Sequence, residues 1–300
     1  MTGTPGSDAP AGGGGVLYVV ATPIGNLSDV TLRALEVLGS VPLIAAEDTR
    51  LSKRLLDRHG LIGRLTSFHA RSAPGRLAAL LEHLRNGLDL ALITDAGTPV
   101  VSDPGADLVA AWAGEGGRVV PIPGPSAVLA AVAATGLTGP RWVFEGFLPR
   151  SGRERRERLG AIAADERGAV LFEAPGRVAG TLRDLVAACG ATRTGAVCRE
   201  LTKIHETITR GTLGDLAAAA QDGGIPPRGE FVLVVGMGVP AGGSGANAAA
   251  ASGRDDLEAG LAEVERLVAA GTARGDAARQ VAAATGIPRR RLYEVVDRGR

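Results

Sequence analysis

The first patterned stretch of the chain is an apolar run, Leu17-Tyr18-Val19-Val20, that breaks at a turn carrying Pro23, Gly25 and Asn26. The period then changes. Val30, Ala34, Leu35 and Leu38 recur at helical spacing, with Ser28 or Asp29 placed to cap the segment. Apolar runs alternating with helix-period segments imply a mostly parallel sheet covered by helices. The alternation continues to about residue 137, with strands expected over 17–22, 43–46, 90–94 and 119–122, and helices over 73–86 and 107–116. A second α/β stretch starts near Arg141, with strands expected over 143–147, 169–172, 195–198 and 231–235 and helices over 178–189 and 213–221.

These patterns divide the chain into an α/β domain over 16–137 and a second over 141–239, hinged at 138–140. Residues 1–15 are polar and Gly-rich and read as a disordered N-terminus, while 240–253 (PAGGSGANAAAASG) have the composition of a flexible linker. The remaining segment, 254–300, reads as a small helical module. Leu257, Leu261, Val264, Leu267 and Val268 share one helical face. A helix-turn-helix pattern follows over 277–296, turning at Thr285-Gly286-Ile287-Pro288. Fewer than fifty residues give that module only a small core.

Composition adds bounds rather than an identity. Three hundred residues suit two domains, and 45% hydrophobic content is enough for a packed core filled by Ala, Val and Leu, since aromatics are scarce. A net charge of +1 leaves nucleic-acid binding to local clusters. Two cysteines, Cys189 and Cys198, and four scattered histidines make no metal cage, so no metal is expected. No stretch has membrane-span length and no basic-plus-apolar leader precedes the first strand, which gives a cytoplasmic expectation with no membrane partner. Neither lysine sits in a Walker loop, Gly12–Gly15 precede the first strand, and His205-Glu206 lacks a second zinc-protease histidine. Nucleotide hydrolysis, NAD chemistry and zinc hydrolysis therefore lose ground.

Three strand-to-helix turns remain: TPIGNLSD, TDAGTPVVSDPG and PIPGPSA. Such turns bring backbone amides to a sheet edge, where open α/β sheets bind ligands. With IAAEDTR, FEGFLPR, RELTKIHE and GEFVLVV they form seven ordered motifs, and on these the chain resembles the tetrapyrrole-methylase superfamily of S-adenosylmethionine-dependent enzymes. More narrowly it resembles the branch that 2′-O-methylates a cytidine ribose in 16S rRNA. The resemblance runs from about Leu17 to Val235, and the Arg-rich C-terminal helices also match that branch.

The resemblance implies two α/β domains with a cofactor cleft between them, commonly as a homodimer, with S-adenosylmethionine as cofactor and the small ribosomal subunit as partner. Asp95, Gly97, Thr98, Ser126 and Ala127 would line the cofactor from the first domain, with Ile24 at the mouth. Phe172, Leu201 and Gly229 would close it from the second. Asp95 ends an apolar strand and needs a partner; the others also read as ordinary turn or core positions.

Methyl transfer to a ribose hydroxyl depends on alignment and gains from a base. Candidates are Glu47 and Asp48, at the end of a strand, and Glu200 and Lys203 in RELTK. Lys203 is one of only two lysines in an otherwise arginine chain, although a simple Glu200–Lys203 ion pair explains it equally well. Arg50 is placed to hold a phosphate. Arg150, Arg153, Arg155, Arg156 and Arg158 fall within nine residues and suit RNA phosphates, against the alternative of a solvated helix with Arg153–Glu157 and Glu154–Arg158 pairs. From Thr272 onward seven Arg face three acids, and Arg289 and Arg290 open the last helix, where an RNA contact or a docking helix are both open. The chain departs from the family pattern in two places: Ala70 stands where Glu is usual, and Glu173-Ala174-Pro175-Gly176-Arg177 replaces Glu-Ser-Pro-His-Arg. Two rivals are a tetrapyrrole methyltransferase and an RNA-binding relative without catalysis.

Overall fold

The computed structural model describes residues 14–238, 260–285, 287 and 292. The expected disordered start (apart from its last two residues), the linker, Arg289, Arg290 and nearly all of the last helix lie outside them. The chain divides into two compact units, one through Gly238 and one from Val239.

The first unit holds two five-stranded sheets. The N-terminal sheet has β1 (Leu17–Val20), β2 (Leu43–Ala46), β3 (Leu65–Ser67), β4 (Leu90–Ile93) and β5 (Val119–Ile122) in the order β3-β2-β4-β1-β5. Every pairing in it is parallel. Its central strands are nearly all apolar because α1 (Leu32–Ser40), α2 (Thr49–Arg58), α3 (Pro74–Arg85) and α4 (Ala106–Gly114) cover the sheet, and two apolar clusters form its core. The first helix starts later than the sequence suggests. Ser28 and Asp29 fall in a 3-10 turn, and Thr31 caps α1 by accepting from the Ala34 N–H at 3.2 Å.

The second sheet is mixed. It comprises β6 (Trp142–Phe147), β7 (Gly168–Glu173), β8 (Thr194–Arg199), β9 (Thr207–Thr212) and β10 (Phe231–Val235), in the order β6-β7-β10-β8-β9. Only β6 and β7 run parallel. α6 (Gly152–Ala164), α7 (Val178–Cys189) and α8 (Leu213–Gln221) pack on one face. The opposite face is covered by α5 (Ala127–Thr135), which precedes the expected hinge yet packs on β7, β9 and β10. Val128 and Ala131 of α5 join Ile24, Val170, Cys198, Leu201 and Val232 in one core. The two halves thus share a hydrophobic seam, and the sequence AVLAAVAAT has so little polar face because the seam runs along it.

The second unit, described by itself, contains α9 (residues 260–269) and α10 (Arg274–Thr285). Val264, Ala277, Ala278, Val281 and Leu292 form its core, as expected for a small helical module.

Candidate functional site

The three turns read from sequence converge on the carboxyl ends of β1, β4 and β5. Thr22 and Gly97 exchange backbone hydrogen bonds of 2.9 and 3.0 Å, and the Thr22 hydroxyl donates to the Thr94 carbonyl at 3.1 Å. The Thr98 hydroxyl donates to the Pro125 carbonyl at 3.4 Å, and Ser126 caps α5. Gly97 (φ +81°) provides the backbone shape this junction needs. Beyond it Val100 and Ser102 also adopt left-handed φ of 76° and 68°, an unfavourable conformation for a β-branched residue. Strain of this kind persists where surrounding contacts impose it, and it collects at functional loops.

A cavity of about 400 Å³ opens between these turns and the second sheet. Ile24, Gly97, Thr98, Ser126, Ala127, Phe172, Leu201 and Gly229 all line it. Phe172 packs edge-on to Phe144 with ring centroids 5.0 Å apart and tilted to Phe147 at 5.6 Å, giving an aromatic wall. Gly229, at φ +94°, leaves room for Glu200, whose carboxyl would sit 2.7 Å from any Cβ there. The buried Cys198 thiol also faces the cavity, pushed up to about 11 by burial, and is therefore a neutral wall atom.

Asp95 is set apart from these eight. It lines a second cavity of about 430 Å³ with Thr94, Arg54, Lys203 and Glu230, and Ile24, Ala96 and Glu230 border both spaces. One Asp95 carboxylate oxygen accepts from the Asp48 N–H at 2.9 Å, and the Asp95 N–H reaches toward Glu47 at 3.5 Å.

Sequence reading missed Asp103. It lines the first cavity, and burial, then the Glu47 charge, with a smaller push from Asp95, raise its carboxyl to about 6 although the Thr94 hydroxyl offsets part of this. That hydroxyl belongs to a residue only 2% exposed and, among the described residues, has no partner besides Asp103. Its signal was the second acid of TDAGTPVVSDPG, which reads as a turn residue. Glu173 was also missed as a cavity residue. Buried, it accepts from Thr181 at 2.5 Å and from the Ala174 N–H at 2.8 Å, and Arg177 pairs with it at 3.2 Å.

The four candidate bases fall into different surroundings. Glu47 is half-buried, and burial together with the Asp95 charge raises its carboxyl above the ordinary range. Asp48 caps α2 and binds Arg50 at 2.7 Å, which holds it at about 2 and leaves a poor proton acceptor. The Lys203 hydrogen bond lowers Glu200. Lys203 pairs with Glu200 at 2.9 Å and Glu230 at 3.1 Å; burial opposes its charge, but the two carboxylates outweigh that and raise its pKa. Such an ammonium stays charged, and the same turn is tied to the first loop by Thr202, whose hydroxyl accepts from the Asn26 N–H at 3.2 Å.

Of the arginines expected on RNA, Arg50, Arg150, Arg153 and Arg156 are exposed. Arg153 pairs with Glu157, as the solvated-helix alternative has it, whereas Arg158 pairs with Glu145 instead of Glu154. Arg155 corrects the expectation. Its side chain is 10% exposed and its guanidinium is spent on Asp184 (2.7 Å), Thr181 (2.9 Å) and the Pro149 carbonyl (2.9 Å), so it braces α6 against α7 and the Thr181–Glu173 wall. Among the described residues no group of three His, Cys, Asp or Glu could hold a metal.

The tetrapyrrole (corrin/porphyrin) methylase model matches residues 16–217. The chain belongs to the tetrapyrrole methylase family. Within the family it is 43% identical over 281 residues to the ribosomal RNA small subunit methyltransferase I of Synechocystis, covering 94% of this chain and 97% of that one. The Mycobacterium bovis protein of the same name is 42% identical, covering 95% and 96%. Solved members share the fold at low identity. Cobalt precorrin-4 methyltransferase superposes with a TM-score of 0.59 at 20% identity, covering 77% of this chain and 98% of its own. Thermus thermophilus uroporphyrin-III C-methyltransferase, complexed with S-adenosyl homocysteine, gives 0.54 at 18%, covering 74% and 97%.

Proposed function

We propose that the chain is an S-adenosylmethionine-dependent methyltransferase that 2′-O-methylates a cytidine ribose in 16S rRNA of the small ribosomal subunit. The observation that carries this reading is the apolar cavity bordered by Asp103, in a chain alike over nearly its whole length to ribosomal RNA methyltransferases. The cavity suits the cofactor. At about 400 Å³ it lies in the range of small-molecule sites, with aromatic and aliphatic walls for an adenine and a few polar groups to orient the rest. When bound, S-adenosylmethionine supplies an electrophilic methyl group.

The chain's own residues do the remaining work. Phe172, Leu201 and Ala127 hold the cofactor's apolar surface, Ile24 closes the mouth, and Gly97, Thr98, Ser126 and Gly229 bring backbone and hydroxyl groups close. The Asp103 carboxylate accepts the proton of the ribose hydroxyl, and Glu47, whose charge is already costly there, keeps that carboxylate basic. Arg50, Arg150, Arg153 and Arg156 receive RNA phosphates.

A homodimer in the cytoplasm completes the reading. Leu32 and Leu129, 79% and 58% exposed, are large apolar side chains that a second copy would cover, and no described helix is long and apolar enough to cross a membrane.

The test is transfer of labelled methyl from S-adenosylmethionine to purified small subunits lacking the modification, with ribose-methyl mapping. A single new 2′-O-methylcytidine is expected. Cofactor binding without any label on subunits would overturn the ribosomal assignment in favour of a tetrapyrrole acceptor.

A further inference from the structure

The second cavity is distinct from the one assigned to the cofactor, yet the two adjoin. They share Ile24, Ala96 and Glu230, and Asp103 on one side stands beside Thr94 on the other. Its floor and sides combine Pro23, Leu27, Leu51, Leu55 and Ile93 with the polar Arg54, Asp95, Lys203 and Glu230. Apolar faces with a polar edge fit a flat heterocycle.

The polar groups divide into spent and unspent. Lys203 is neutralised by Glu200 and Glu230. Asp95 gives one oxygen to the Asp48 N–H and keeps the other. Among the described residues Arg54 makes no ion pair.

We infer that this cavity takes the base of the target nucleotide, turned out of its stack, and that Asp95 reads the exocyclic amine of a cytosine there. This rests on the reading of the preceding subsection and adds where the acceptor sits. A ribose held in a stacked helix does not reach a junction inside the cleft between two sheets. A base seated in the second cavity brings its own ribose to that junction, next to Asp103. Enzymes that work on nucleotides in closed pockets solve the same problem by base extrusion, reading the base edge with hydrogen bonds and its faces with apolar side chains. Cytosine presents an amino donor to the free Asp95 oxygen and carbonyl and ring-nitrogen acceptors to Arg54. Uracil places a carbonyl against the Asp95 carboxylate, so the site rejects it.

The experiment compares full-length wild type, Asp95→Asn and Arg54→Ala on small subunits carrying cytidine or uridine at the mapped position, with S-adenosylmethionine affinity measured separately by calorimetry. Wild type should favour cytidine by roughly 10-fold or more. Asp95→Asn, whose amide can donate to the uracil carbonyl, should shrink that ratio to near unity while its cofactor affinity stays within about 2-fold. Arg54→Ala should raise KM for cytidine subunits at unchanged cofactor affinity. An unchanged cytidine-to-uridine ratio in Asp95→Asn overturns the inference, as does loss of cofactor binding in that variant, which would return Asp95 to the cofactor site. Equal wild-type rates on both subunits overturn it too. Failure of wild type to methylate the cytidine subunit at all is a different result, and it removes the ribosomal reading itself.

Discussion

At the scale of single residues, Asp103 carries the most chemical weight. Its carboxyl titrates at about 6 instead of 3.8, because burial and the neighbouring Glu47 charge penalise the anion. As the proposed proton acceptor it would work only when ionised. Therefore kcat/KM of the wild type should fall tenfold per pH unit below about 6 and level off above it. Asp103→Asn should lose that limb and about 100-fold or more of the rate, with cofactor affinity retained; a preserved acid limb in that variant assigns the proton elsewhere. Stability carries the opposite sign. Between the unfolded and folded pKa the native state binds the extra proton, so Asp103 makes the fold less stable as pH rises through that window, and Asp103→Asn removes that slope. The sequence exposed the lining of the first cavity well, since turn glycines and strand-end polar residues declare their place by chain position. It did not expose Asp103, Glu173 or the Thr94 hydroxyl, because their chemistry comes from burial and from neighbours distant along the chain.

At the scale of elements, α6 shows how a run of one residue type splits into two jobs. Five arginines look alike in sequence, but helical spacing turns Arg155 inward while Arg153 and Arg156, and Arg150 just before the helix, stay in water. Arg155→Ala leaves Asp184 and Thr181 short of a partner and should lower stability by about 2 kcal/mol, read as a fall in Tm, without altering the salt dependence of subunit binding. Arg150→Ala combined with Arg156→Ala should do the reverse. Their Tm stays put, and the slope of log affinity against log salt becomes shallower by roughly one to two units, one for each lost phosphate contact. A normal slope in that double variant would leave α6 and the residues before it as a solvated segment. The strands show the same limit of sequence reading. Central β2 and β10 and the apolar edge strand β5 match their runs to the residue, whereas the edge strands β3 and β9 are missing from the pattern, for LTS and TITRGT are half-exposed and polar. α5 was placed in sequence but not in space, since nothing local says which sheet it covers.

At the scale of the whole molecule, both cavities lie inside the unit that ends at Gly238, and every residue lining them belongs to it. The second unit has its own small core around Val264, Ala278 and Val281. Cofactor binding and subunit binding should therefore separate on truncation. A chain ending at Gly238 keeps both sheets and the seam along α5, so its S-adenosylmethionine affinity should stay within about 2-fold of full length. Its KM for small subunits should rise by roughly 10-fold, because the removed segment carries seven Arg against three acids from Thr272 onward and each phosphate contact adds affinity without specificity. At saturating subunit concentration kcat should recover, since Asp103 and both cavities are retained. A truncated chain with normal subunit KM would reassign the helical unit to protein contacts, and one with low kcat at saturation would mean that the unit helps to seat the acceptor in the cleft.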